Sequence, residues 1–210
     1  MKIISIRKVK RDVHIIFDTG EELLLRYEVF LKSGLRKDDS IDNNLVPELE
    51  KQNKLFSAKE TAFNLLSRRN HSVKELERKL LQRRIEKDII NEIIADLIKS
   101  NFLNDEKFAR EYLEEKLRLK NVGLVKIKND LYARGINREV IKAILNEKSE
   151  LDETENAFNL IQKKLKSFNK KTTDPRKLKQ KVYSFLLLKG YNYDTIESVM
   201  NKIKSEGSKD

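Results

Sequence analysis

The sequence predicts a mostly α-helical protein. Tandem three-helix repeats form an elongated, curved solenoid behind a small N-terminal β-containing extension. Three observations predict it. A six-residue phrase is written three times, as "LLQRRI" (80–85), "LYARGI" (131–136) and "LLLKGY" (186–191). The spacing of apolar residues changes from a period of two before about residue 26 to 3.6 from about residue 45 onward. The composition, 39% hydrophobic and 38% charged with no Trp and two Pro, suits solvated helices better than one thick core.

Taken in order, "KIISIRKVK" and "VHIIFDTGEELLL" alternate apolar and polar residues, with Asp18-Thr19-Gly20 as turn chemistry. Two or three short antiparallel strands follow from that. A short helix over 27–32 is stopped by Gly34, and 36–44 is a polar linker. Pro47 suits the first turn of the next helix. Each repeat then has a first helix, in "AFNLLSRR", "FAREYLEEKLRLK" and "AFNLIQKKL", whose alanines Ala62, Ala109 and Ala157 lie 47 and 48 residues apart. Each second helix sets two apolar residues four apart on one face: Leu76 and Leu80, Ile127 and Leu131, Val182 and Leu186.

The phrase closes that helix and launches the third. Gly135 and Gly190 stand where an αL residue ends a helix, and Asn137 and Asn192 suit the following N-cap. The third helices contain Ile89, Ile90, Ile93, Ile94 and Leu97, then Val140, Ile141, Ile144 and Leu145, then Ile196, Val199 and Met200. The expected organisation is an extension over 1–45, repeats over 46–101, 102–150 and 151–204, and a frayed tail over 205–210. Each repeat buries its apolar stripe against its own helices and its neighbour.

Several chemistries are disfavoured. The absence of cysteine removes disulfides and thiolate metal sites and suits a reducing compartment. His14 and His71 have no nucleophile or metal-ligand partner at a telling spacing. Six scattered glycines make no phosphate cradle. Neither enzymatic activity nor a cofactor is expected. No apolar run approaches the roughly 18 residues of a membrane span, so a cytoplasmic monomer is expected.

Binding remains. A net charge of +11 and a pI near 9.6 favour a polyanionic or carboxylate-rich partner. The candidate contacts in the first repeat are Arg68, Arg69, Arg78, Lys79, Arg83 and Arg84. The second repeat offers Arg110, Lys116, Arg118, Lys120, Lys126, Lys128 and Arg134. The third offers Lys163, Lys164, Lys170, Lys171, Lys177 and Lys179, from a tract (163–181) with nine basic residues against Asp174 alone. Phe63, Phe102, Phe108, Tyr112 and Phe158 fall at helical spacings and are expected in the core rather than as base-stacking platforms.

"FLNDEKFAREYL" (102–113), Gly123 and "IKNDLYARGI" (127–136) resemble the RecX family, bacterial modulators of the RecA recombinase. "AFNLLSRRNHSVKELERKL" (62–80) is similar to that family's first module. The leading strands with "VFLKSGLRKDDSID" (29–42) are similar to the extension of its longer members. Arg84 and Asn101 stand where glycine is common in the family; an αL residue other than glycine costs roughly 1 kcal/mol, less for Asn. The resemblance implies a protein lying in the groove of the RecA filament on single-stranded DNA, hindering ATP hydrolysis and strand exchange and promoting filament loss. Repeated modules suit a repeated partner. The alternative is a sequence-independent nucleic-acid-binding protein with helix-turn-helix-like units.

Overall fold

The computed structural model describes residues 1–120, 122–147, 150–169 and 174–207. The chain forms two compact units. Met1–His71 with Glu75–Leu103 make the first, and Ser72–Lys74 with Asn104–Asp210 the second.

The first unit opens with a three-stranded antiparallel sheet in the order β1 (Ile3–Val9), β2 (Asp12–Phe17), β3 (Glu22–Arg26). Ile3 pairs with Phe17, Val13 with Leu25 and Ile15 with Leu23. The period of two turns all six side chains onto one buried face. α1 (Tyr27–Ser33) follows, one residue longer than the sequence suggests, and Gly34 ends it at φ +68°.

α2 (Leu45–Leu66) runs for 22 residues with Pro47 in its first turn. Its first half lays Leu49 under the sheet, in one core with Val29 and Leu35. Its second half buries Ala58, Ala62 and Leu65. Arg26 fastens sheet to helix. Its N–H donates to Asn53 Oδ1 at 2.7 Å, and its guanidinium meets Asp12 at 3.0 Å and Glu60 at 3.3 Å. α3 (Val73–Gln82) and α4 (Lys87–Lys99) complete the first three-helix group, burying Leu76, Leu80, Ile89, Ile90, Ile93 and Leu97.

The second unit holds two more groups. α5 (Asp105–Glu115) runs through a π-helical turn over Lys116–Lys120, then α6 (Leu124–Ala133) and α7 (Arg138–Asn146) follow. α8 (Glu150–Asn169), α9 (Pro175–Lys189) and α10 (Tyr193–Gly207) form the last. Each has its own core: Phe108, Ala109, Leu113, Ile127, Leu131 and Ile141 in one, Ala157, Ile161, Val182, Leu186, Ile196 and Val199 in the other. The fold is therefore mostly helical, with tandem three-helix domains and a small antiparallel sheet.

The expected caps are present. Asn137 Oδ1 accepts from Glu139 N–H, and Asn192 Oδ1 from Thr195 N–H, each at 2.7 Å. Gly135 and Gly190 take φ of +81° and +84°. Arg84 and Asn101 take the same conformation, at +60° and +57°. Arg84→Gly is therefore expected to stabilise the protein by about 1 kcal/mol, because it removes an αL penalty. Urea unfolding checks this; an unchanged midpoint would show that the strain is offset by contacts of the Arg84 side chain.

Candidate partner-binding surface

The basic candidates fall into clusters set by their helices. Arg68 and Arg69 follow α2, Arg78 and Lys79 lie on α3, and Arg83 and Arg84 form the turn after it. Arg69 is engaged within the fold: it donates to Asn70 O at 2.8 Å and pairs with the buried Glu75 at 3.0 Å. Arg83 donates to Lys79 O at 3.2 Å. Arg83 and Arg84 line an open groove with Lys54, Ser57, Ala58, Thr61, Ile85, Glu86 and Ile89. Lys54 there pairs with Glu86 at 2.8 Å, which raises its pKa.

In the second three-helix group, Arg110 is held by two carboxylates. Its Nη2 lies 2.9 Å from Glu106 Oε1 and 3.0 Å from Glu147 Oε1, so the hydrogen bonds raise its already high pKa. It links α5 to the residue that ends α7, and its charge is largely offset by them.

Lys116 and Arg134 meet across the ring of Tyr112, with their cationic groups 4.6 and 4.8 Å from its centroid. The Tyr112 hydroxyl donates to Asp130 Oδ2 at 2.8 Å. Burial, then that bond, pushes the hydroxyl's pKa up to about 12. Arg118, Lys126 and Lys128 are exposed, and the side chain of Lys120 lies outside the described set.

In the third group Lys163 and Lys164 are exposed on α8, and Lys177 and Lys179 on α9; Lys170 and Lys171 lie outside the described residues. Lys177 and Lys181 border a groove with Phe168, Gln180, Ser184 and Phe185. The rings of Phe168 and Phe185 meet edge to face at 5.7 Å.

Phe108, Tyr112 and Phe158 are buried as expected. Phe63 and Phe102 are not. They are exposed and lie edge to face, with centroids 5.2 Å apart. Asn101's αL turn directs the chain off α4 just before Phe102, so the two rings cover each other instead of entering the core. His71 is buried with Nδ1 2.9 Å from Arg69 O, and desolvation lowers its pKa. Among the described residues no group of three His, Cys, Asp or Glu could hold a metal ion, and no helix is long and apolar enough to cross a membrane.

Two carboxylates that the sequence did not single out join elements within the second unit. Asp105 Oδ1 accepts from Val73 N–H at 2.9 Å, and Glu153 Oε1 from Leu124 N–H at 2.7 Å. Beside the first, Ser72 Oγ donates to Arg134 O at 2.6 Å; beside the second, Gly123 N–H donates to Lys189 O at 3.0 Å and Val125 N–H to Gly190 O at 3.2 Å. A Cβ on Gly135 would lie 2.3 Å from the Lys74 side chain, and one on Gly190 would lie 2.3 Å from Lys126 Cβ. Glycine is required at both positions by close packing as well as by φ.

Family models for the first, second and third three-helix domains of RecX match residues 58–97, 104–145 and 151–200. A regulatory protein RecX from Clostridium perfringens is 34% identical over 205 residues, covering 96% of each chain. The chain belongs to the RecX family. Another RecX, from Clostridium botulinum (strain Eklund 17B / Type B), is 30% identical over 196 residues, covering 93% of this chain and 92% of its own. A crystal structure of regulatory protein RecX aligns with a TM-score of 0.72 at 22% identity, covering 95% of this chain and 98% of that one. That of RecX from Lactobacillus salivarius aligns at 0.65 and 26% identity, over 72% and 97%. The third repeat, where the sequence itself carries least resemblance, is matched as the RecX third domain.

Proposed function

We propose that this RecX-family regulatory protein binds the filament of RecA on single-stranded DNA and lowers its ATP hydrolysis, strand exchange and persistence. The observation that carries the reading is the threefold recurrence of one helical domain, matched in order to the three RecX domains. A partner that repeats along an axis can engage such domains together, and linked weak contacts multiply into avidity. Exposed cations recur on these domains, at Arg78, Arg118, Lys128, Lys163, Lys164, Lys177 and Lys179. They suit a surface rich in carboxylates or phosphates. Arg69 and Arg110 contribute less, because carboxylates of the same chain already hold them.

The test adds the protein to preformed RecA filaments, with and without competitor single-stranded DNA, and follows ATP hydrolysis. Substoichiometric inhibition that survives competitor DNA is expected. Reversing charge at Arg118, Lys128, Lys163 and Lys164 should weaken it while helical content is unchanged. Inhibition only near saturation of the strand, relieved by excess DNA, would remove RecA as the target.

That second outcome belongs to direct nucleic-acid binding, favoured by the α8–α9 cations beside Phe168 and Phe185. In that case neutralising Lys163, Lys164, Lys177 and Lys179 flattens the salt dependence of DNA binding.

A further inference from the structure

We infer that Glu153 is a positioning residue for the third three-helix domain. Its carboxylate takes the N–H that opens α6 and so fixes the angle between the second and third domains; Asp105 takes the N–H that opens α3. The inference does not depend on which partner the protein regulates.

The two contacts are built alike. Asp105 and Glu153 lie 48 residues apart, in the first turn of the first helix of their domains. Each accepts from the opening backbone N–H of the preceding domain's second helix, Val73 in α3 and Leu124 in α6. Those N–H groups have no acceptor within their own helix, and the positive end of the helix favours a carboxylate there. A charge-assisted bond of this kind is about twice as strong as a neutral one.

In both places the same helix end rests on the glycine that closes the next domain's second helix, Gly135 or Gly190. At Gly123 and Gly190 the backbones themselves are in contact: a Cβ on Gly123 would lie 2.2 Å from Gly190 O. At Gly123 and Gly190 the helix ends meet mainly through backbone and have little side-chain shape to hold an angle, and the carboxylate supplies a directional bond. Glu153 is only 3% exposed, a costly place for a carboxylate without donors. Its second oxygen lies 3.5 Å from Thr195 Oγ1 of α10. One side chain on α8 thus bridges the second domain to the far helix of the third.

Acid and glycine vary together. The first domain has Ala58 where Asp105 and Glu153 stand, and Arg84 where Gly135 and Gly190 stand. Ala58 and Arg84 line the open groove beside Lys54. At the other end, α9 carries its own cap, with Asp174 Oδ1 accepting from Arg176 N–H at 2.9 Å.

The chain has no cysteine, so two introduced cysteines report on the joint without background. Spin labels on Lys142→Cys in α7 and Glu197→Cys in α10, both exposed sites, measure the distance between the domains by pulsed electron resonance. Glu153→Ala is expected to keep the helical circular dichroism, broaden that distance distribution about twofold, and speed exchange of the Leu124 amide about tenfold. Glu155→Ala, which removes the exposed pair with Lys202 and the 3.4 Å hydrogen bond from Asn159 Nδ2, is expected to change neither reading. A Glu153→Ala protein with the original distance width and Leu124 protection would overturn the inference. If Glu153→Ala does not fold, Glu153→Gln keeps the shape and an acceptor. It then decides through the Leu124 amide alone, where faster exchange supports the inference and unchanged exchange overturns it.

Discussion

Gly190→Ala is expected to cost about 3 kcal/mol of stability, roughly three times the cost of Gly34→Ala. Both glycines are αL residues that end a helix, at φ +84° and +68°, so both substitutions carry the same conformational penalty of about 1 kcal/mol. Their surroundings differ. A Cβ on Gly34 meets nothing within 4 Å. One on Gly190 lies 2.3 Å from Lys126 Cβ, 2.7 Å from Lys126 N and 3.0 Å from Lys126 Cα.

Backbone cannot swing aside as a side chain can, so α6 must withdraw. Withdrawal breaks the bonds from Gly123 to Lys189 and from Val125 to Gly190, each contributing about 1 kcal/mol. Urea unfolding of the two variants against the parent measures the difference. Equal losses would mean that the packing at Gly190 yields without effort.

The consecutive leucines 186, 187 and 188 are expected to differ sharply in a second experiment. Leu186 is fully buried, Leu187 is 44% exposed and Leu188 77% exposed. Leu186→Ala removes side-chain atoms from a closed core shared with Ala157, Ile161, Ile196 and Val199, and is expected to cost about 3 kcal/mol through lost transfer energy and a residual cavity. Leu188→Ala is expected to stay within about 0.5 kcal/mol. Equal effects would contradict a helix that turns one stripe inward here. The pair separates stability from partner binding, because a loss of regulation in Leu188→Ala without loss of stability marks that face as a contact.

Much of this architecture was legible because local chemistry and tertiary packing agree. β2 and β3 alternate buried and more exposed residues, and each pair four apart in the second helices, from Leu76 and Leu80 to Val182 and Leu186, is buried. Gly135, Gly190, Asn137 and Asn192 cap as their residue types require.

The early part of α2 was harder to read. Its halves bury different faces against different cores, Leu49 under the sheet and Ala62 with Leu65 farther on, which blurs the helical period. Among the binding candidates, Arg69 and Arg110 proved to be tied to Glu75, Glu106 and Glu147. Pairs such as Arg110 with Glu147, 37 residues apart, leave no mark in local spacing. Asp105 and Glu153 were hidden for the same reason. An acid in a first helical turn looks like an ordinary complement to that helix's own dipole, whereas the amides they accept lie 32 and 29 residues away.

The helix lengths show on which side such a repeat is free to grow. α5 with its π-helical turn has 16 residues and α6 has 10, whereas α8 and α9 have 20 and 15. Asp105 and Gly135 are 30 positions apart and Glu153 and Gly190 37, so with these residues fixed at the joint the seven added positions fall between them, mostly in the first turn of α9. At the corresponding connection of the preceding domain, Gly123 and Leu124 are held against Gly190 and Glu153, and an inserted turn there would drive one backbone into another. Asp174, Pro175, Arg176 and Lys177 are exposed. Length is thus pinned where Gly123 and Leu124 meet Gly190 and Glu153 and released at the start of α9, which makes that exposed helix start the natural place to graft a fluorescent or affinity insert.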